Sequence, residues 1–111
     1  MPYDNVIDWH VTPFRGERWL DAWQPTAAKA LSFGATQWTI TRSNDDTLHY
    51  RQTTRWNSKE DFEAWWYDDE TIAARSEVIN WHHKPLLPVW HDILGTANPA
   101  ADAETASAAG S

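Results

Sequence analysis

The sequence predicts an α+β fold in which two helices cover one face of a four-stranded antiparallel sheet. Residues 4–12, 35–42 and 48–56 alternate apolar and polar side chains, which is the period of half-buried strands. Residues 16–32 and 58–80 carry apolar side chains at helical spacing instead. With one further strand near the C-terminal end, the order is β-α-β-β-α-β, the ferredoxin-like split βαβ arrangement.

Proline and glycine residues set the predicted boundaries in the first half of the chain. Pro13 ends the first strand. Pro25 falls inside the helix predicted for 16–32 and should kink or restart it, because proline removes a backbone donor. Gly34 suits the C-terminal stop of that helix.

Turn and capping residues organise the second half. The run Ser43-Asn-Asp-Asp has the composition of a turn, so the strands on either side of it form an antiparallel hairpin. Ser58-Lys-Glu-Asp61 resembles a capping box and starts a broken helix that extends to about residue 80, with an interruption at Tyr67-Asp-Asp. Residues 86–94 are predicted as the last strand, where Pro85 and Pro88 suit an edge position or a strand start.

Composition restricts the class of protein. The length allows one domain, predicted over residues 1–94, and the Ala/Ser-rich stretch 95–111 is predicted to be a disordered tail. A net charge of −7 disfavours nucleic acid and anionic membranes as partners. The chain has no cysteine, so disulfides, thiolate metal sites and cysteine nucleophiles are excluded. Without a signal-peptide pattern or a membrane-spanning stretch, a cytoplasmic location is expected.

The most informative feature is the presence of nine tryptophans in 111 residues. A monomer of this size has too little interior to hide nine indoles completely, because a short chain buries a smaller fraction of its surface. Some indoles should therefore line a subunit interface or a ligand cavity. This reasoning favours a homodimer with a pocket for a small aromatic ligand.

Two segments, WNSKEDFEAWWYDDETIAAR and KPLLPVWHDIL, resemble the antibiotic-biosynthesis-monooxygenase-like proteins of the dimeric α/β barrel superfamily. The resemblance covers residues 5–94 and implies that two ferredoxin-like domains form a dimeric α/β barrel. Members of the superfamily include cofactor-independent monooxygenases, haem-degrading enzymes, polyketide cyclases, isomerases and proteins without demonstrated chemistry. The fold therefore leaves the activity open.

The resemblance to this superfamily also bears on whether the protein binds haem as a cofactor, through a comparison with the haem-degrading branch. It carries an Asn on the first strand, and a Trp followed by a His on the second helix. Asn5 and Trp66 occupy similar places here, but Arg75 and Ser76 stand where the His is expected. Neither gives iron an imidazole ligand, so no cofactor is predicted.

Polar residues on one side of the strands are the predicted catalytic groups. His10, His49 and Arg51 project from that side together with Arg55 and Asp8. A neutral histidine can act as a general base, and an arginine can hold an anion. The alternative, which we favour for these charges, is that they form ion pairs that fix the register of a dimer.

Two further residues complete the predicted polar set. His83 is a third candidate base, and Arg75 is a second candidate for holding the anion. The pair His82-His83 also raises the possibility of a metal site, but adjacent side chains of an extended segment point in opposite directions. No metal site is therefore predicted.

Aromatic residues on the other side of the strands are the predicted ligand-binding groups. The set is Trp9, Trp38, Tyr50, Trp65 and Trp66. Each alone is explained as a core residue, whereas all of them together favour a cleft between sheet and helices. The predicted function is a homodimeric, cofactor-independent monooxygenase-like enzyme acting on an aromatic or polyketide-like molecule. Alternatives are a non-enzymatic binding protein, a non-oxidative cyclase or isomerase, and haem binding.

Overall fold

The computed structural model describes residues 2–97 and confirms the predicted fold class. Its elements are β1 (Tyr3–His10), α1 (Gly16–Lys29), β2 (Ala35–Arg42), β3 (His49–Trp56), α2 (Lys59–Trp66), α3 (Asp69–Glu77) and β4 (Val89–Asp92). The strands form one antiparallel sheet in the order β2-β3-β1-β4. Within the described chain, no helix has the length and apolar character needed to cross a bilayer.

The second predicted helix is two helices, each with its own cap. The Ser58 hydroxyl accepts a hydrogen bond from the backbone N–H of Asp61 at 3.2 Å, which starts α2 as the capping pattern predicted. After Trp66 the chain turns, and the Asp68 carboxylate accepts the N–H of Glu70 at 3.2 Å to start α3. The second cap explains why the predicted interruption separates two elements.

Proline acts differently at its three informative positions. Pro25 lies inside α1 without ending it, and a 3-10 turn at Ala30–Phe33 follows the helix. Gly34 then adopts a left-handed conformation (φ 113°), the C-terminal stop that its sequence position predicted. Near the other end, β4 is shorter than the predicted strand 86–94, because Pro85 and Pro88 have no N–H to donate to a ladder.

The core lies between the sheet and the helices and is built largely from indoles. Five tryptophans are completely buried: Trp9, Trp19, Trp23, Trp56 and Trp65. Their rings form a continuous series of contacts with centroid separations between 4.8 and 6.3 Å. Trp38, Trp81 and Trp90 are only partly buried. The interior of one chain thus hides more than half of the indoles, and the rest reach its margins.

The strand alternation places residues on the two faces as predicted. Asn5, Ile7 and Trp9 of β1 are buried toward the helices, as are the alternate residues of β3 from Tyr50 to Trp56. The intervening side chains lie on the opposite face, which no helix covers within residues 2–97; we call it the open face.

Candidate functional site

The structure contains a cleft between the helices and the segment that leads to β4. It has a volume of about 390 Å³, which lies within the range of small-molecule sites. Its lining consists of Trp66, Ile72, Arg75, Ser76, Ile79, His82 and Leu86. No aspartate or glutamate of the described chain belongs to this lining, although the sequence contains 16 acidic residues. The walls are therefore mostly apolar, and their one permanent charge is a cation.

That cation is the guanidinium of Arg75, which lies over the ring of Trp66 at 4.0 Å. One of its N–H groups donates to the backbone carbonyl of Trp66 at 2.5 Å. Burial lowers the pKa of Arg75, yet an arginine stays protonated in proteins. No carboxylate in residues 2–97 forms an ion pair with it. The guanidinium is thus held in a fixed orientation and keeps donors for an anionic group.

His82 is the histidine of the cleft, and its position depends on pairing beyond β1. A bridge between Val11 and His82 aligns the segment, and the imidazole packs edge-on against Trp9 with centroids 5.2 Å apart. The neighbouring His83 is exposed instead, and its backbone N–H donates to the carbonyl of His10. The two adjacent imidazoles therefore serve different surroundings, as their spacing predicted.

Buried polar atoms without hydrogen-bond partners lie in the layer between sheet and helices. Within residues 2–97, both amide atoms of Asn5, the amide nitrogen of Gln52 and the hydroxyl of Thr71 have none. Each such group costs about 1–3 kcal/mol when it stays unsatisfied. Polar groups of this kind are typical of a site where a ligand or ordered water completes the bonding.

The surroundings of these atoms connect them to the cleft. The indole N–H of Trp23 donates to the carbonyl oxygen of Gln52 at 2.5 Å, and the ring of Trp23 packs edge-on against Trp66. Asn5 pairs with Trp90 across the sheet, and Phe62 contacts both Trp90 and Trp66. The unpartnered amides thus lie in the aromatic layer of which Trp66 is the member that lines the cleft.

Sequence reasoning omitted Gln52 and Thr71 from the predicted site and considered Asn5 only in relation to haem. A signal for two of them exists in the strand pattern. Asn5 and Gln52 are polar residues at positions of the alternation that face the helices. A polar residue in such a position calls for a partner, and the sequence does not say which one.

The predicted ligand-binding aromatics divide into one that lines the cleft and four that do not. Trp66 forms part of the wall. Trp9 and Trp65 are completely buried, and the N–H of Trp65 donates to the carbonyl of Thr26. The set also contains Tyr50, which is 6% exposed, and Trp38, which is half-buried on β2.

Of the five predicted catalytic residues, only Arg75 lines the cleft. The structure gathers the others at the open face around Asp8, whose carboxylate accepts hydrogen bonds from His49 and Arg51, both at 2.9 Å. His10 stacks on His49 with ring centroids 4.8 Å apart, and His83 lies 6.3 Å from His10.

The charges of the open face satisfy one another. The hydrogen bond from Arg51 holds the pKa of Asp8 below its ordinary value and raises that of Arg51. Burial, and then the nearby Lys84, lowers the pKa of His10. Farther along the same strands, Arg55 donates to Asp4 at 2.9 Å. These ion pairs join β1 to β3 within one chain, and a role in fixing the register of a dimer stays a prediction.

The site does not offer a haem its usual axial ligand. Arg75 and Ser76 occupy the part of α3 where the haem-degrading branch carries a histidine, and the guanidinium covers Trp66. Within residues 2–97 there is also no cluster of three or more histidine or carboxylate groups suited to a metal ion.

Comparison with known proteins identifies relatives by structure alone. No protein-family model and no curated sequence matches the chain. A candidate antibiotic biosynthesis monooxygenase from Nitrosomonas europaea has a TM-score of 0.79 at 17% identity, with 87% of this chain and 94% of that chain covered. The protein Rv0793 from Mycobacterium tuberculosis has a TM-score of 0.75 at 12% identity, covering 88% and 100%.

A third similar structure has a stated activity. SnoaB from Streptomyces nogalater, a cofactor-independent oxygenase, has a TM-score of 0.74 at 14% identity, with 86% of this chain and 95% of that chain covered. At these identities the comparisons show a common fold. They confirm at that level the resemblance that the sequence predicted.

Proposed function

We propose that this protein binds a flat aromatic molecule in the cleft beside Trp66 and oxidises it with O₂ without a metal or flavin. The observation that carries the proposal is the guanidinium of Arg75, which forms no ion pair with the part of the chain that the structure describes and lies over an indole in a lining without acidic groups. An aromatic anion matches this combination of an apolar wall and a fixed cation. The fold shared with a cofactor-independent oxygenase supports the reaction class.

The proposed reaction begins with loss of a proton from the substrate. The resulting carbanion or phenolate passes one electron to O₂, and the two radicals combine to a peroxide. Loss of water then leaves a carbonyl, so that a ring CH₂ and O₂ become C=O and H₂O. Arg75 holds the anion, while Trp66 excludes water on one side of the ligand.

We also propose that the protein is a homodimer formed through the open face. The paired charges Asp4–Arg55 and Asp8–Arg51 would fix the register of two sheets, which is how charged groups at an interface usually act. His10, His49 and His83 remain proposals for a catalytic role that such a dimer would create. Sizing of the wild type against Arg55→Glu tests the interface, and a monomeric wild type contradicts it.

The proposed ligand site is tested by quenching of tryptophan fluorescence. Dithranol, a flat three-ring phenol with an acidic ring CH₂, should quench saturably, and Arg75→Gln should weaken its binding about tenfold through loss of a charged contact. The matched control is Arg18→Gln, since Arg18 also lies over an indole, that of Trp81, outside the cleft lining. Equal binding by both variants would contradict a site at Arg75.

The reaction itself is tested by oxygen uptake above the spontaneous oxidation of dithranol. We expect uptake that saturates with dithranol and decreases in Arg75→Gln but not in Arg18→Gln. Saturable binding without oxygen uptake would replace the oxygenase by the cyclase, isomerase or binding protein that the sequence left open. Conversion of the ligand to an isomer would then distinguish an enzyme from a binding protein.

A further inference from the structure

Among the seven described residues that line the cleft, His82 is the only imidazole. Its ring is half-buried and is fixed against Trp9. A proton acceptor in this place would act on the same ligand that Arg75 contacts.

The hydrogen bonding of His82 determines which ring nitrogen is available. Nδ1 lies 3.2 Å from the backbone carbonyl of Lys84. A carbonyl oxygen only accepts, so Nδ1 carries the proton in the neutral ring, and the lone pair resides on Nε2. Within residues 2–97, Nε2 has no protein hydrogen-bond partner. The backbone of the segment therefore presets the tautomer that a base requires.

The charges around His82 also suit this role. From α3, Arg75 and Ser76 line the cleft with it, and Lys84 and His83 are its neighbours in the chain. No carboxylate is present in the lining to take the proton instead. A ligand anion formed beside His82 would find the guanidinium of Arg75 in the same cleft.

We infer that His82 is the proton acceptor of the cleft: its Nε2 removes the acidic proton of a bound aromatic, and Arg75 retains the resulting anion. The inference rests on the proposed ligand site. The step conserves atoms and charge, because the ligand O–H or C–H bond breaks, an N–H bond forms on Nε2, and a neutral pair becomes an imidazolium and an anion. His10, His49 and His83 lie at the open face, on the side of the sheet away from the helices.

The inference can be tested without turnover by using 4-nitrophenol and its methyl ether, 4-nitroanisole. The visible absorbance of 4-nitrophenol distinguishes the phenolate from the neutral phenol, whereas the ether has no acidic proton. We expect the pKa of 4-nitrophenol bound to the wild type to be lower by about one unit, a tenfold shift in ionisation. Quenching of tryptophan fluorescence by 4-nitroanisole reports occupancy of the cleft independently.

Two variants remove the base in different ways. His82→Asn keeps a side-chain N–H that can donate to the carbonyl of Lys84 but has no second ring nitrogen, and His82→Phe keeps a ring against Trp9. Each should bind 4-nitroanisole like the wild type and lower the pKa of bound 4-nitrophenol less than the wild type does, with Arg75 supplying the shift that remains. The matched control is His91→Asn, which alters an exposed imidazole on β4 outside the cleft lining and should preserve the shift.

The outcomes separate this inference from the proposed function. If 4-nitroanisole binds and the pKa of bound 4-nitrophenol is unchanged in the wild type, or if the shift is as large in both His82 variants as in the wild type, His82 is not the acceptor although the cleft binds aromatics. If neither probe binds, the ligand site itself is wrong, and the inference fails with it. Near-UV circular dichroism identifies a variant that has lost its packing, and the second variant then decides.

Discussion

The two faces of the sheet both carry polar side chains, but the hydrogen bonding of these side chains differs between the faces. On the open face, charged residues from β1 and β3 bond to each other across the strands, as Asp8 does with His49 and Arg51. On the covered face, the polar residues Asn5 and Gln52 are completely buried and keep atoms without partners. The charged groups of the open face thus have partners, whereas buried polar atoms of the covered face have none within residues 2–97.

This difference in hydrogen bonding indicates which face is suited to a ligand site. Paired charges stabilise structure and register, because each already has its counterion. Buried groups without partners are retained at a cost in stability, and a bound molecule can repay it. Four of the five predicted catalytic residues lie at the open face. Arg75 and His82, which the sequence did not predict as catalytic, line the cleft instead.

The largest expected effect sharpens the contrast between interior and margin. Trp9→Ala should lower the free energy of unfolding by about 3–5 kcal/mol, because the residue is completely buried and touches two other indoles. Trp38→Ala, at a half-buried position on β2, should lose less than half as much. Urea unfolding measures both. Equal losses would mean that the indoles do not differ in burial.

The next effect tests whether the amide of Asn5 on the covered face lacks hydrogen-bond partners. Asn5→Leu replaces an unpartnered amide by an apolar group of similar shape, so it should raise the free energy of unfolding by about 1 kcal/mol in the absence of ligand. A destabilisation comparable to loss of a core side chain would show that the amide has partners and would remove the contrast between the faces.

A smaller effect tests how much the ion pairs of Asp8 on the open face contribute to stability. Asp8→Asn should lower the free energy of unfolding by at most about 1 kcal/mol at neutral pH, because its carboxylate is 38% exposed. The folded-state pKa of Asp8 is lowered, so this contribution is lost as the pH falls below about 4. Urea unfolding at several pH values measures the difference. Asp21→Asn, an exposed change on α1 that also removes one carboxylate, is the control.

The smallest effect concerns the histidines of the open face. The folded-state pKa of His10 is lowered by burial and by the cations Lys84, His49 and His83, against the attraction of Asp8. Its unfolded form therefore binds the proton first, and stability should fall as the pH decreases below about 6.5. His10→Gln should reduce that loss by a few tenths of a kcal/mol. An unchanged pH profile between pH 7 and 5 would contradict this assignment.

The sequence predicted the sheet and its two faces because the pattern of each strand has an unambiguous period of two. The side chains from Asn5 to Trp9 and from Tyr50 to Trp56 occupy the faces that alternation gave them. Boundaries were less accurate where a local feature intervenes. The Asp68 cap divides the second helix, and the prolines restrict the last strand to Val89–Asp92.

The site was harder to predict, because it depends on contacts between residues distant in sequence. His82 reaches the cleft through its bridge to Val11, and no local pattern specifies that pairing. The missing partners of Asn5 likewise become evident only when the surrounding helices are in place. Arg75 was found by comparison with the position of a histidine in related proteins, which identified the place and left its contact with Trp66 unknown.

The continuous indole layer also makes the interior a single optical unit. Contacts between ring centroids at 4.8–6.4 Å run from the buried rings to the one at the cleft wall: Trp19, Trp9, Trp23 and Trp66. At such separations an excited indole passes its energy to a neighbour faster than it emits. A molecule bound against Trp66 should therefore quench the fluorescence of indoles several rings away. The protein thus reports occupancy of its own cleft without any added label.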